Sequence, residues 1–298
     1  MTEKDTIIDM PSIQWFPGHM AKAKRLVIDN MKLVDVAIEL LDARIPYSSA
    51  NPMLHELIAE KPHLVILNKA DLADPVITRA WIEYFKKQGT AAIAMDSLTG
   101  KGTKQVVKLA EQLAKAKTEK LAKRGGAVRA ARVMILGIPN VGKSSLINRL
   151  AGAAKTKTAD KPGVTRAKQW IKITGGLDLL DMPGILWPKF EDPAVGLHLA
   201  FTGAINDEIY DREKVCNLLL ASLQTLYPGY LEKRYRIVSE AEDTASCLLE
   251  KIGRNRGCLL KGGAVDMEKV QRIVLSEFRA GKLGHISMEQ PGQMDSCN

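Results

Sequence analysis

The octapeptide Gly-Ile-Pro-Asn-Val-Gly-Lys-Ser at residues 137–144 decides the fold. It fits the pattern G-x-x-x-x-G-K-[ST], in which successive backbone N–H groups curl around phosphate oxygens where a helix begins. An apolar run at 132–136 predicts a buried strand before it, and residues 144–150 have helical spacing. A glycine-rich turn without a ligand seldom has this strand–loop–helix setting, so we predict a phosphate-binding loop.

The loop and the start of its helix supply most of the predicted contacts to the phosphates of a nucleotide. Lys143, which we also expect to act in catalysis, would reach the β- and γ-phosphates, and Ser144 would bind Mg²⁺. The residues predicted to bind nucleotide here are Asn140, Val141, Gly142, Lys143, Ser144 and Ser145.

Two downstream motifs lie at suitable distances from the loop. Asp-Met-Pro-Gly at 181–184 follows an apolar strand, which would place the Asp181 carboxylate near Mg²⁺ and the Gly184 amide near the γ-phosphate. Thr165 lies between the loop and that strand, where a switch threonine would close over the metal and act in catalysis. D-x-x-G alone is often just a turn, and a threonine in a polar loop is often only solvated.

A second motif, Asn-Lys-Ala-Asp at residues 68–71, follows the apolar run 63–67 and predicts a guanine-reading loop. The Asp71 carboxylate can accept hydrogen bonds from guanine N1–H and the 2-amino group, a pair that adenine does not offer. Asn68 and the stem of Lys69 would brace the loop and cover the base. N-K-x-D can occur by chance, but beside the other motifs it favours GTP and GDP over ATP, because unpaired buried polar groups reject the wrong base.

Ser97 is the candidate for a short loop whose amide supports guanine O6, because it follows the predicted strand 91–95. An ordinary strand–helix turn would look the same. The base reader precedes the phosphate loop, whereas ordinary GTPases have the reverse order, so the sequence predicts a circular permutation. The bridge that a permutation requires has ten basic and two acidic residues between Lys101 and Arg132, and it is either a solvated connector or a patch for phosphate backbone.

The 298 residues, with 46% hydrophobic content and a net charge of +9, allow two domains. Alternating strands and helices predict a mostly parallel sheet, hence an α/β GTPase domain over 1–202 that includes an N-terminal segment 1–32. Helical spacing at 211–226, 239–252 and 266–280 predicts an all-helical domain over 203–298 that binds RNA or the ribosome. Four scattered cysteines without C-x-x-C indicate reduced thiols and no zinc site, and no apolar run is long enough for a membrane.

The motif order resembles the YlqF-type circularly permuted GTPases, and most closely the ribosome biogenesis GTPase A family. The resemblance extends over nearly the whole chain, through Ile-Gln-Trp-Phe-Pro-Gly-His-Met at 13–20, Asp-Ala-Arg-Ile-Pro at 42–46, Lys-Pro-Gly-Val-Thr at 161–165, Arg-Gly-Cys at 256–258 and Phe-Arg-Ala-Gly-Lys-Leu-Gly at 278–284. It implies a bacterial GTPase that matures the large (50S) ribosomal subunit.

The partners expected from this resemblance are the large subunit or its precursor and ribosomal RNA. The protein would act in the cytoplasm, and we expect a monomer that associates with no membrane. The alternative is a GTP-gated RNA-binding or scaffolding protein on another ribosomal particle, with hydrolysis incidental. GTP turnover with and without purified large subunits would separate the two.

The position after Gly184, where Ras-like enzymes carry a water-orienting glutamine, is Ile185, which cannot handle a proton. We therefore expect slow hydrolysis by the isolated protein and stimulation by the ribosomal particle. The resemblance implies a catalytic role for His19, although Pro-Gly-His could merely cap a helix. Asn140 is a candidate ligand for K⁺, which would supply charge to the transition state, or else a polar turn residue.

Overall fold

The structure is a computed structural model, and the residues that it describes are 25–58, 61–123, 129–152, 170–173, 176–180, 184, 190, 192–240 and 242–293. They divide into two compact units. One unit contains the sheet and the predicted nucleotide motifs. The other, Phe190–Met288, is built mainly from helices.

The described residues of the first unit form a six-stranded sheet in the order β3-β2-β1-β4-β6-β5. All neighbouring strands are parallel except β5 and β6. This confirms the predicted α/β fold with a mostly parallel sheet. The strands are β1 Val36–Asp42, β2 His63–Asn68, β3 Ala91–Ala94, β4 Ala131–Leu136, β5 Trp170–Ile173 and β6 Leu177–Leu180.

The central strands are buried because helices cover the sheet on both faces. Every residue of β1 is buried, as expected for a parallel strand with no face in water. One core contains Val27, Leu54 and Met134, and the other packs Val65 against Trp81. The helices are α1 Pro46–Ser49, α2 Pro52–Ile58, α3 Pro75–Lys87, α4 Thr103–Lys123 and α5 Lys143–Ala151, and residues 25–31 are also helical.

The permutation is visible in the strand order. β1 lies between β2, which follows it directly, and β4, which comes after two further strands and α4. Parallel strands end at one edge of a sheet, so the residues that follow β1, β2, β3 and β4 meet there. That edge carries both predicted motifs, the guanine reader after β2 and the phosphate loop after β4.

The helical unit contains α6 Pro193–Thr202, α7 Arg212–Leu226, α8 Tyr230–Tyr235, α9 Ala245–Asn255 and α10 Met267–Arg279. Four of these helices begin at a side-chain cap, in which an oxygen of Asp192, Asp211, Thr244 or Asp266 accepts a hydrogen bond from a first-turn amide. The described part of the unit therefore agrees with the predicted helical domain.

The unit boundaries differ from the predicted division at residue 203. Helix α6, assigned to the GTPase domain from sequence, packs within the helical unit. The Phe201 ring meets the Phe278 ring edge-on at 6.3 Å, and the Arg279 guanidinium donates to the carbonyls of Ala200 and Phe201. At the other end, the chain from Glu289 onward belongs to the GTPase unit.

Candidate functional site

The phosphate-binding loop connects buried strand β4 to helix α5. Gly137 approaches the neighbouring strand so closely that a Cβ there would lie 2.6 Å from the Leu40 carbonyl oxygen. The Lys143 ammonium donates to the carbonyls of Gly137 and Ile138 at 3.0 and 2.7 Å, so its side chain folds back over the loop. The predicted strand–loop–helix setting is therefore present.

The start of α5 is suited to an anion. Its N-cap is Gly142, which offers no side-chain oxygen, and its first turn contains no acidic residue. In α3, by contrast, the Asp74 carboxylate occupies the first-turn amides of Val76 and Ile77. No side-chain oxygen of the cap or acid of the first turn thus opposes the positive end of the α5 dipole, which suits a ligand such as phosphate.

Ser144 and Ser145 lie on the first turn of α5, Ser144 exposed and Ser145 half-buried. An exposed hydroxyl directly after the loop lysine fits one oxygen ligand of Mg²⁺. The other predicted metal ligands, Thr165 and Asp181, lie outside the described residues, as does His19. Their roles stay predictions.

Gly184 lies against the phosphate-binding loop. A Cβ at this position would be 2.8 Å from Lys143 Nζ and 3.0 Å from Pro139 Cα, so a side chain here would have to displace the lysine and crowd the Pro139 backbone. Glycine allows the D-x-P-G motif to approach the loop closely. Its amide as a partner of a γ-phosphate stays a prediction.

Asn68 joins the guanine reader to the phosphate loop. Its side chain is 2% exposed, and its amide Nδ2 donates to the Val141 carbonyl at 2.7 Å. Its Oδ1 accepts from the Ser97 amide at 3.1 Å and from the Ser97 hydroxyl at 2.5 Å. A Cβ on Gly142 would lie 2.3 Å from Asn68 Nδ2, so the loop glycine leaves room for this bond. Asn68 thereby links the loops that follow β2, β3 and β4.

Ser97 and Asp71 are the two residues predicted to contact the base. The Ser97 amide, expected to support guanine O6, is donated to Asn68, so in the structure Ser97 braces the base reader. Asp71 is exposed at the turn after Lys69. Direct contact of either residue with a base stays a prediction.

Asp96, a residue without a predicted role, shapes the turn that carries Ser97. Its carboxylate accepts from the amides of Leu98 and Thr99 and from the Thr99 hydroxyl. Burial raises the pKa of Asp96, but these hydrogen bonds outweigh it and lower the pKa below the ordinary value. The signal was present, because an Asp followed three and four residues later by Thr99 and Gly100 is typical of such turns.

Asp42 is another residue without an assigned role, although its motif Asp-Ala-Arg-Ile-Pro was recognised. It lies at the end of β1, and its carboxylate Oδ2 is 2.9 Å from Lys69 Nζ of the base reader. The Arg44 guanidinium binds the same carboxylate at 2.8 Å. Buried carboxylates are normally paired with a cation. The signal available in the sequence was therefore an Asp at the end of one apolar strand and the Lys of the N-K-x-D loop at the end of the next.

The basic residues of the helical unit are mostly engaged within it. The carboxylate of Glu277 binds both Arg234 and Arg256 at 2.6 Å, and Asp243 binds Lys251 at the same distance. Arg254 pairs with Glu250 one turn away, at a surface where such pairs contribute little. The basic clusters at 233–236 and 251–256, whose residue types suit RNA phosphates, are therefore divided. Arg234, Arg256 and Lys251 hold the unit together, whereas Lys233, Arg236 and Arg254 face outward.

The bridge between β3 and β4 is a helix for most of its length. The sequence predicts a helix over 101–117 and a linker over 115–131, whereas α4 reaches Lys123, six residues beyond that helix end. Its exposed side includes Lys104, Lys108, Lys115 and Lys123, with Lys115 loosely paired to Glu119 at 3.8 Å. This stripe of lysines fits either a solvated face or a phosphate-binding surface.

No helix within the described ranges is both long and apolar enough to cross a bilayer. In the same part of the chain, no three His, Cys, Asp or Glu side chains come together in a group that could hold a metal ion.

Comparisons with known proteins identify a GTPase domain. Residues 132–242 match the family model described as 50S ribosome-binding GTPase. The chain is 51% identical over 279 residues to Ribosome biogenesis GTPase A of Bacillus cereus, with 94% of each chain covered. It is 32% identical to the protein of that name from Thermotoga maritima, over 94% of this chain and 95% of the other.

Among solved structures, the crystal structure of GNP-bound YlqF from T. maritima matches with a TM-score of 0.65 and 29% identity. The match covers 91% of this chain and 98% of that one. The family model begins at β4 and leaves out Asn68 and Asp71. That is expected when the base reader precedes the phosphate loop.

Proposed function

The chain belongs to the ribosome biogenesis GTPase A family, and we propose that it is an assembly factor for the large ribosomal subunit that binds precursor particles in a GTP-dependent way. The observation that carries this proposal is the position of Asn68. Its side chain ties the guanine reader to the phosphate loop and to Ser97, so base and phosphate recognition act as one site. A ribosome assembly GTPase needs such a site in order to report its nucleotide state.

Nucleotide binding in this proposal uses groups from both motifs. Lys143, the amides at the start of α5 and Ser144 hold the phosphates and Mg²⁺, and Thr165 and Asp181 complete the metal site. Asp71 reads the guanine edge, while Asn68 and Lys69 brace the loop. Asn140 is exposed with a φ of +56°, a conformation that asparagine tolerates, and it is the proposed ligand of K⁺.

Nucleotide state would be coupled to particle binding through the short segment of chain that joins Gly184 to the helical unit. Gly184 lies against Lys143 and Pro139, where a γ-phosphate would be sensed. Only residues 185–189 separate it along the chain from Phe190, where the helical unit begins. A segment ordered by the γ-phosphate and released after hydrolysis is a common two-state element. Nucleotide state would therefore bias the presentation of the helical unit to the particle.

The proposed partner surface consists of outward-facing basic residues. Lys233, Arg236 and Arg254 on the helical unit and the lysine stripe of α4 would meet ribosomal RNA phosphates. Arg256 is a poor choice for testing this surface, because Arg256→Glu would place a second carboxylate against Glu277 and destabilise the helical unit. Lys233→Glu combined with Arg254→Glu removes charge without touching that pair.

The test is pelleting with purified large subunits and their precursors, in a non-hydrolysable GTP analogue and in GDP, across a salt series. We expect stronger pelleting with the analogue, and weaker, less salt-dependent pelleting for the double variant. The charge-matched control is Lys86→Glu with Lys87→Glu, on the exposed end of α3 in the GTPase unit. Equal pelleting in both nucleotides would refute the gating, and equal loss in the control would refute the surface.

Hydrolysis in this proposal is slow in the free protein and stimulated by the particle. Neither Ile185 nor its successor Leu186 can orient water, so His19, K⁺ or the particle must assist. GTP turnover is measured with and without large subunits, and with His19→Ala. Stimulation by large subunits supports timed release from the particle. Unchanged turnover would favour the alternative of a GTP-gated binder. We place the protein in the cytoplasm as a monomer.

A further inference from the structure

A buried carboxylate at the end of β1 lies beneath the base reader. The Asp42 side chain is 2% exposed and contacts two cations. Arg44 donates from Nε and Nη2 to its two oxygens at 2.9 and 2.8 Å, and Lys69 Nζ lies 2.9 Å from Oδ2. Burial alone would raise the pKa of Asp42, but the charges of Arg44 and Lys69 hold it well below its ordinary value. Asp42 is therefore an anion.

The Lys69 side chain is anchored at both ends. Its backbone has a φ of +58°, in the left-handed region that a lysine seldom adopts, and its carbonyl accepts from the Leu72 amide at 2.9 Å. Its ammonium is held by Asp42. The four-carbon stem between these anchors has lost most of its rotamer freedom before any ligand arrives, and a lysine stem otherwise loses about 1.5–2 kcal/mol of that freedom on ordering.

The loop that follows Asp42 is itself held by a residue from the far end of the chain. The Glu289 carboxylate accepts from the amides of Tyr47 and Ser48 at 2.7 and 3.1 Å, and from the Ser48 hydroxyl. The Ser49 hydroxyl accepts from the Asp42 amide at 3.0 Å. The position of Asp42 is thus fixed by its own strand and by a second layer of hydrogen bonds.

From this geometry we infer that Asp42 is a positioning residue for guanine-nucleotide binding, which acts by holding the Lys69 stem in place to cover the base. The inference rests on the proposed role of residues 68–71 as the base reader. Arg44 supports the function because its guanidinium binds both oxygens of Asp42, so the carboxylate stays charged while it is buried. Preorganisation of this kind raises affinity because less freedom is lost on binding.

The test is the affinity of the full-length protein for a fluorescent (mant) GDP, with GTP turnover measured in parallel. Asp42→Asn keeps the shape but removes the charge, and we expect roughly tenfold weaker binding from the loss of one charge-assisted bond. Lys69→Met, which keeps an apolar stem but loses the anchor, should weaken binding by a similar factor. The double variant should be no weaker than either single one. The loss should appear in KM rather than in kcat.

The matched control is Asp35→Asn, directly before the same strand. Asp35 is also buried and binds an arginine, Arg129, at 2.7 Å, but it lies just before β1, at the opposite edge of the sheet. Its replacement should lower stability while mant-GDP affinity stays at the wild-type value. If the losses from Asp42→Asn and Lys69→Met add, or if Asp42→Asn binds as the wild type does, the inference is overturned. If Asp42→Asn does not fold, wild-type affinity in Lys69→Met alone overturns it.

A further variant separates this inference from the proposed function. If Asp71→Asn keeps its preference for guanine, the assignment of the base reader is wrong. If Asp71→Asn loses that preference while Asp42→Asn binds normally, the base reader stands and only the role of Asp42 is refuted.

Discussion

Replacing Gly142 with alanine should damage the nucleotide site at two levels. The residue has a φ of +104°, and a non-glycine residue held in such a region costs about 1–3 kcal/mol. The added Cβ would also lie 2.3 Å from Asn68 Nδ2, so Asn68 must move and give up its bond to the Val141 carbonyl. A buried carbonyl left unpaired costs about a further 1–3 kcal/mol, or roughly 5- to 150-fold in affinity.

Gly152→Ala is the control for the backbone part of this loss. Gly152 ends α5 with a φ of +66°, and a Cβ there would meet nothing within 4 Å. Both variants should melt at a lower temperature than the wild type. Gly142→Ala should also bind mant-GDP more weakly than Gly152→Ala does. Wild-type affinity in Gly142→Ala, or an equal loss in both variants, would show that Asn68 does not connect the two motifs as described.

Three further outcomes are expected. Asp71→Asn should shift the preference from GTP toward xanthosine triphosphate, whose O2 can accept from an amide, as measured by competition for mant-GDP. GTP turnover should be faster in potassium than in sodium buffer, and Asn140→Ala should abolish the difference; equal rates in the wild type would refute the K⁺ site. Burial raises the pKa of Glu277, but Arg234 and Arg256 outweigh it and lower it below 4.5, so its contribution to stability is present above pH 4.5 and lost as the pH falls below that value. Urea unfolding of Glu277→Gln should therefore show a loss at pH 7 that shrinks with increasing acidity.

The sheet and its motifs were accessible from sequence because their signals are local. The apolar runs at 63–67 and 132–136 correspond to β2 and β4 to within one residue, since each run ends where a polar motif begins. The end of α4 was missed for an equally local reason. Its lysine-rich second half was interpreted as a linker, yet Lys, Glu, Ala and Leu are strong helix formers.

Contacts between distant parts of the chain could not be predicted. Glu277 lies 43 residues beyond Arg234, and no pattern in either segment indicates that one carboxylate binds two arginines. The contact of Arg279 in α10 with the Ala200 carbonyl in α6 likewise joins residues 79 positions apart. The bond between Glu289 and Ser48 spans 241 residues, so no local pattern connects Glu289 with the base reader.

The strand order also governs how the protein is made. β1 is synthesised first among the six described strands, yet its partner β4 follows much later, and Val36 pairs with Val133, 97 residues further on. At about 5–20 residues per second, translation leaves that edge of β1 without its neighbour for roughly 5–20 s. An unpaired apolar strand invites wrong partners, and an inward-pointing charge within it discourages them. Glu39 is such a residue, in the middle of β1 and 3.2 Å from His63. Its carboxylate would disfavour wrong pairing of β1 in the nascent chain until β4 has been synthesised.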